Sequence, residues 1–166
     1  MSYIFYSCSS LTSLNLSNFN ISRVSNMNLM FYECSSLTSL NLSSFDTSNV
    51  EDMSEMFFGC LSLISLDLSN FETSNAIYMA EMFYECSSLI SLDLSNFDTS
   101  NIENIDYIFY NCEKLEYVNL KLAKINPGKL ASSGECSKYP SKLTICSEDE
   151  NWKKIFHSEY KKIQMI

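Results

Sequence analysis

Hydrophobic and polar residues alternate over short stretches of this chain, and the stretches recur with a 26-residue period. In the unit at 34–59, Leu40 and Leu42 alternate with the polar residues Asn41 and Ser43. A period of two predicts a strand with one buried face. Because the same leucine positions recur in the other units, we expect the strands to stack in parallel as one sheet.

A second hydrophobic pattern follows each predicted strand. Val50, Met53 and Phe57 fall at positions i, i+3 and i+7, which predicts one face of a short helix. Ser48 and Glu51 fit a capping box at its start. The sequence therefore predicts an α/β fold, a right-handed leucine-rich-repeat solenoid with a parallel sheet on one side and short helices on the other.

Five cysteines mark the 26-residue period, because Cys8, Cys34, Cys60, Cys86 and Cys112 are equally spaced along the chain. A fixed period of roughly 20 to 50 residues is typical of a stacked array of small units. We expect residues 1–122 to form the solenoid, with an incomplete N-terminal unit, and residues 123–166 to form a C-terminal cap. The cap is predicted to contain a loop and an amphipathic helix.

The first unit starts in its middle, since Met1 aligns with Met27 of the next unit. We therefore expect this chain to be the C-terminal part of a longer array, or a truncated gene model. An uncapped N-terminal edge of this kind suits end-to-end self-association, because an open sheet edge offers unpaired backbone groups.

The repeated unit resembles that of the BspA-like leucine-rich-repeat proteins. The resemblance is best seen in Cys34–Phe57 and Cys86–Phe97, it covers about residues 1–120, and Arg23, Ala76 and Tyr78 interrupt it. It implies a non-enzymatic protein on a cell surface or secreted, which binds host matrix proteins or microbial surface proteins. A structural or assembly module and an intracellular scaffold remain as alternatives.

Polar residues occupy the outward positions of the predicted strands, and we expect these to form a binding face. A flat surface rich in hydroxyl and amide groups suits an extended protein or glycan, although the same residues also suit simple solvation. The candidate residues are Ser13, Asn15, Ser39, Asn41, Ser65, Asp67, Ser91, Asp93, Tyr117 and Asn119.

The cysteines have a chemical and a structural interpretation. Metal sites use closely spaced ligands, which a 26-residue period does not provide, so we predict that the repeated cysteines are small core residues. No metal and no cofactor are predicted. Cys136 and Cys146 flank a lysine-rich loop, and a disulfide between them is one of two open alternatives.

The acidic and the aromatic columns have alternative interpretations. Asp67 and Asp93 would be near neighbours, as would Asp46, Glu72 and Asp98, which suits either a weak Ca²⁺ site or solvated acids, and we favour the solvated acids. A column of aromatic residues would form either a second contact surface or packing between units, and we favour packing. These residues are Tyr32, Phe58, Tyr84 and Tyr110.

Charge and motifs exclude several classes of function. Residues 1–112 contain one basic residue, Arg23, and 13 acidic residues, a net charge of −12, so nucleic-acid binding is not expected. The chain has no signal-peptide pattern and no apolar run of the length that a membrane-spanning helix needs. His157 is the single histidine, and no serine has a base at a defined spacing, so no catalytic residue is predicted.

Overall fold

The computed structural model describes residues 1–121, 123, 125–126, 143–152 and 164–165. Within these residues each 26-residue unit forms one coil, and successive coils stack with their backbones parallel. Asn15 pairs with Asn41 in a parallel bridge. A second line of parallel bridges joins Asn26, Asp52, Tyr78 and Asn104. The stacking of units that the repeat predicts is therefore present.

A small parallel sheet lies along one side of the stacked coils. Its strands are β1 (Ser91–Asp93), β2 (Tyr117–Asn119), β3 (Thr144–Cys146) and β4 (Gln164–Met165), and they lie in that order. Ser91 pairs with Tyr117, so the register between β1 and β2 equals one repeat. Leu92 is buried between exposed neighbours, as the alternating pattern predicts.

The predicted helices are wrong, and with them the α/β fold class. Each segment with helical spacing forms consecutive turns at 2–7, 28–33, 54–59, 80–85 and 106–111, which we call the turn ladder. Within the described part of the chain, only Asn151 and Trp152 have helical backbone. The second side of the molecule is therefore built of turns.

Hydrogen bonds between coils explain why these segments are not helical. Phe57 N–H donates to the carbonyl of Met82 in the next coil at 3.0 Å, and Gly59 N–H donates to that of Tyr84 at 2.8 Å. The N–H between them, that of Phe58, closes a turn onto Glu55. An α-helix would need each of these donors for a carbonyl four residues earlier in its own segment.

Left-handed backbone also separates the turn ladder from a helix. Each coil places two residues of the ladder at positive φ, as at Glu55 (56°) and Gly59 (67°). Gly59 suits this conformation because it has no Cβ, and a Cβ added there would lie 3.3 Å from the side chain of Glu33. Left-handed positions reverse the chain direction locally, so they are incompatible with a right-handed helix.

The described residues do not show the predicted helical cap. Instead, β3 and β4 continue the sheet beyond β2. Trp152 is buried, and its indole N–H donates to the carbonyl of Ala123 at 2.8 Å. The rest of the predicted helix, residues 153–163, lies outside the described residues. Within the described ranges, no helix has the length and apolar character to cross a membrane.

Columns of identical side chains form the core between the sheet and the turn ladder. Phe31, Phe57 and Phe83 are fully buried, and their rings stack with centroids 5.6 and 5.7 Å apart. Stacked aromatic pairs contribute beyond the area that they bury. The repeat thus places one residue type at one depth in every coil, and this continuous core holds the outward positions of the strands in register.

Candidate binding face

The structure places the predicted binding residues on one side of the stacked coils, four of them in β1 and β2. We call these ten residues the strand face. Asn119 is partly exposed and the others are exposed: Ser13, Asn15, Ser39, Asn41, Ser65, Asp67, Ser91, Asp93 and Tyr117. The parallel pairing of neighbouring coils brings each column into a line across the molecule. Their exposure agrees with the sequence pattern, whereas the pattern says nothing about what binds there.

One column of the strand face also has a structural role. In every coil, a side-chain oxygen of this column accepts the backbone N–H two residues later at 3.0 Å, and this bond ends the strand with a tight turn. The residues are Asn15, Asn41, Asp67, Asp93 and Asn119. Asn and Asp are the residues that make such turns, which explains their presence at this position.

Two carboxylates in this column keep their charge. Hydrogen bonds from the backbone and side chain of Ser69 hold the pKa of Asp67 below its usual value. The side chain and backbone of Ser95 do the same for the pKa of Asp93. Both groups therefore remain ionised at neutral pH on adjacent coils, and they line a groove of about 220 Å³.

Large apolar side chains are exposed on the same or adjacent coils, and sequence reasoning missed three of them. Leu61, Ile64 and Ile90 are 43%, 51% and 46% exposed, and Tyr117 is 38% exposed. Ile90 N–H donates to the carbonyl of Ile64 at 3.3 Å, so the two isoleucines lie on neighbouring coils. The signal was present in the sequence, because their column contains threonine in the two preceding coils.

The repeated cysteines are buried thiols, as the structural interpretation predicts. Cys34, Cys60, Cys86 and Cys112 are fully buried and unbonded to other cysteines. Each thiol donates to the carbonyl of a phenylalanine in the preceding coil, as from Cys86 to Phe57 at 3.1 Å. Burial raises the pKa of Cys34 to about 11 and that of Cys112 to about 12. Neutral, hydrogen-bonded thiols of this kind are poor nucleophiles.

The remaining cysteines lie in different surroundings. Cys8 is exposed in the first coil, and Cys146 is a partly exposed free thiol in β3. Burial and contact with Cys146 raise the pKa of Tyr117. Cys136, the predicted partner of Cys146, and His157 lie outside the described residues.

The aromatic column beside the turn ladder packs between coils. Tyr32, Phe58, Tyr84 and Tyr110 are partly exposed, and successive rings stack with centroids 4.6, 4.5 and 4.7 Å apart. Because the ring faces cover one another, only the edges of these rings face solvent. The packing interpretation of this column therefore fits the structure better than that of a second contact surface.

The two aspartates of the acidic column make tight turns. Asp46 and Asp98 each accept the backbone N–H and the hydroxyl of the serine two residues later. The side chain and backbone of Ser48 lower the pKa of Asp46. Among the residues that the structure describes, no group of three or more His, Cys, Asp or Glu residues has the arrangement of a metal site.

A sequence profile described as "Mycoplasma protein of unknown function, DUF285" matches residues 1–122. The chain belongs to this DUF285 family. No curated protein matches its sequence. Among solved structures, a leucine-rich repeat protein from Bacteroides ovatus ATCC 8483 aligns at 15% identity with a TM-score of 0.42. The alignment covers 100% of this chain and 63% of the other, so the chain spans less than two thirds of that protein's length.

The match to the DUF285 profile, over residues 1–122, covers the region of 26-residue repeats. Its description assigns no activity, so it leaves the finer resemblance to BspA-like proteins as a hypothesis. The strand face recurs in every coil and contains ionised carboxylates, and exposed apolar side chains occur on the same coils.

Proposed function

We propose that this DUF285 chain is a non-enzymatic protein-binding module, and that its strand face contacts the partner. One observation carries the proposal, the line of outward side chains that the stacked coils hold in register from Asn15 to Asn119. A surface built from many coils suits a long, shallow contact, which is how repeat proteins bind their partners.

The finer part of the proposal is adhesion at a cell surface. The resemblance to BspA-like proteins supports a partner among host matrix proteins or microbial surface proteins. It also supports a secreted or surface-bound location. The strongly acidic repeats are compatible with a protein partner and unfavourable for nucleic acid, because like charges repel the phosphate backbone.

Blocking the strand face tests this function. We expect the purified chain to bind an immobilised extracellular-matrix protein in surface plasmon resonance. The double variant Ser65→Arg and Ser91→Arg, which fills the centre of the face, should lose binding. Ser25→Arg with Ser74→Arg, at two exposed serines outside the face, adds the same charge and bulk and serves as the matched control. Equal binding by both double variants would exclude the strand face, and no binding by the unmodified chain would exclude adhesion to that matrix protein.

A second candidate function is assembly by stacking of copies. The carbonyls of Ile4 and Tyr6 accept no backbone N–H from the described part of the chain, whereas the equivalent carbonyls of the next coil do. At the other end of the sheet, β4 pairs with β3 alone among the described strands. A second copy stacked head to tail would place a coil against the N-terminal coil, and repetition of that contact gives open chains of copies.

Sedimentation velocity separates assembly from binding by a single copy. Head-to-tail stacking predicts a sedimentation coefficient that rises with protein concentration. Tyr6→Asp should abolish the rise, because Tyr6 is 44% exposed at the open end of the aromatic column. Tyr78→Asp, at a position where the preceding coil already has Asp52, is the control. A monomer at every concentration would exclude this function.

A further inference from the structure

We propose that the strand face selects a cationic, partly apolar segment of its protein partner, bound across the coils that contain Ile64 and Ile90. This inference rests on the proposed binding function and names the chemistry of the partner. It is carried by two groups of side chains on the same two coils, an exposed apolar pair and an acidic pair.

The apolar part lies near the middle of the array. Ile64 and Ile90 are joined by a backbone hydrogen bond between their coils, and Leu61 adds a third exposed apolar side chain. Neighbouring strands lie about 4.8 Å apart, so the two isoleucines form one continuous patch. Apolar side chains surrounded by polar ones are the usual arrangement at the centre of a protein interface.

The acidic part lies farther along the same coils. Asp67 and Asp93 follow the isoleucines by three residues, roughly 10 Å for an extended chain. In each carboxylate one oxygen accepts the backbone N–H that ends the strand, and the group stays exposed to a ligand. Because no lysine or arginine occurs between Arg23 and Lys114, the repeats themselves supply no cation to this pair.

Charge complementarity identifies the partner. Two exposed, ionised carboxylates on adjacent coils favour a cation above them. A lysine or arginine of a partner segment supplies that charge, and its apolar neighbours cover the isoleucines. The net charge of −12 over residues 1–112 also attracts a basic segment and accelerates its binding.

Three short fluorescent peptides of equal length test which chemistry of a partner segment the full chain binds. One alternates lysine with valine, the second alternates glutamate with valine, and the third alternates lysine with serine. Fluorescence anisotropy should show binding of the lysine–valine peptide, at least about tenfold tighter than that of either other peptide. Its affinity should also fall as the salt concentration rises, since surface charge pairs are screened.

Two conservative double variants locate the site. Asp67→Asn with Asp93→Asn keeps the turn, since asparagine occupies this column in other coils, and should weaken binding by about threefold or more. Asp46→Asn with Asp98→Asn removes the same charge from another column with the same turn geometry and should have no such effect. If both double variants lose affinity for the lysine–valine peptide to the same extent, net charge alone explains the loss and the proposal is wrong.

The apolar part has its own variant. Ile64→Thr with Ile90→Thr introduces threonine, which occupies the same position in the two preceding coils, so folding should be preserved. This double variant should bind the lysine–valine peptide about tenfold more weakly. The lysine–serine peptide should be unaffected by this change. If the glutamate–valine peptide binds as tightly as the lysine–valine peptide, or if neither binds, the proposal is wrong. Loss of matrix binding in the face-blocked variant would then still support the proposed function.

Discussion

Replacing Glu55 by glycine and by alanine distinguishes the turn ladder from a helix by the sign of one energy difference. Glu55 has φ of 56°, and its N–H donates to the carbonyl of Ala80 in the next coil at 2.9 Å. The comparison between Glu55→Gly and Glu55→Ala cancels the loss of the carboxylate, which both variants share. What remains is the preference of the backbone for one residue over the other.

The structure fixes the sign and size of that difference. A left-handed conformation costs an L-residue roughly 1–2 kcal/mol, and glycine avoids this cost. We therefore expect Glu55→Gly to be more stable than Glu55→Ala by about 1 kcal/mol. In a helix alanine would instead be more stable than glycine by about 1 kcal/mol. The turn ladder and a helix therefore predict stability differences between the two variants that lie about 2 kcal/mol apart.

Urea denaturation, followed by tyrosine fluorescence and far-ultraviolet circular dichroism, measures the difference as a shift in midpoint. The same pair of substitutions at Ser54, whose φ is not positive, is the control and should favour alanine. Repetition at Glu81, with φ of 57°, tests the equivalent position in the next coil. A more stable alanine variant at Glu55 and Glu81 would refute the turn ladder.

Three further predictions concern the core. Phe57→Ala should lower the free energy of unfolding by about 3–5 kcal/mol, because it interrupts the buried ring stack. Phe5→Ala, at the partly exposed end of the stack, should lower it clearly less. Equal losses in urea denaturation would contradict the ring stack. Thr47→Val should cost about 1–3 kcal/mol, because the buried Thr47 hydroxyl bonds both the carbonyl and the N–H of Glu72, and an unchanged melting curve would count against this role. Iodoacetamide at pH 8 should modify Cys8 before the four buried cysteines of its column, as read by peptide mass spectrometry, and uniform labelling would show that the column is open.

The repeat made part of this structure predictable. A 26-residue period with alternating leucines correctly indicated parallel stacking, the buried position of Leu92 and the exposure of Asp67. These features depend on which side chains are buried together, and hydrophobic spacing reports that directly. The same argument predicts the buried cysteines, because equally spaced residues lie at the same depth in every coil and a small side chain fits at this position.

The turn ladder was not predictable from spacing alone. Met53, Met56 and Phe57 are buried as a helix would bury them, yet backbone bonds of this segment run to the next coil. Hydrophobic spacing indicates which side chains face the core, and it does not indicate whether a donor bonds within its segment or to a neighbouring coil. The acids at left-handed positions, such as Glu55, gave no signal, because glutamate is a residue typical of helices.

The exposed isoleucines were missed for a different reason. The 26-residue period is defined by the positions that the units share, whereas Ile64 and Ile90 differ from the threonines of the preceding coils. In a repeat protein the shared positions build the fold, and the positions that vary between coils distinguish one surface from another. A binding site is therefore best sought where a column changes its chemistry.

Photocrosslinking tests the central claim, that the strand face contacts a protein partner, most directly. Benzoylphenylalanine at Ser65, at the centre of the strand face, should crosslink to a bound matrix protein, whereas the same residue at Ser74, exposed outside the strand face, should not. Crosslinks of equal yield from both positions, or from Ser74 alone, would contradict the claim.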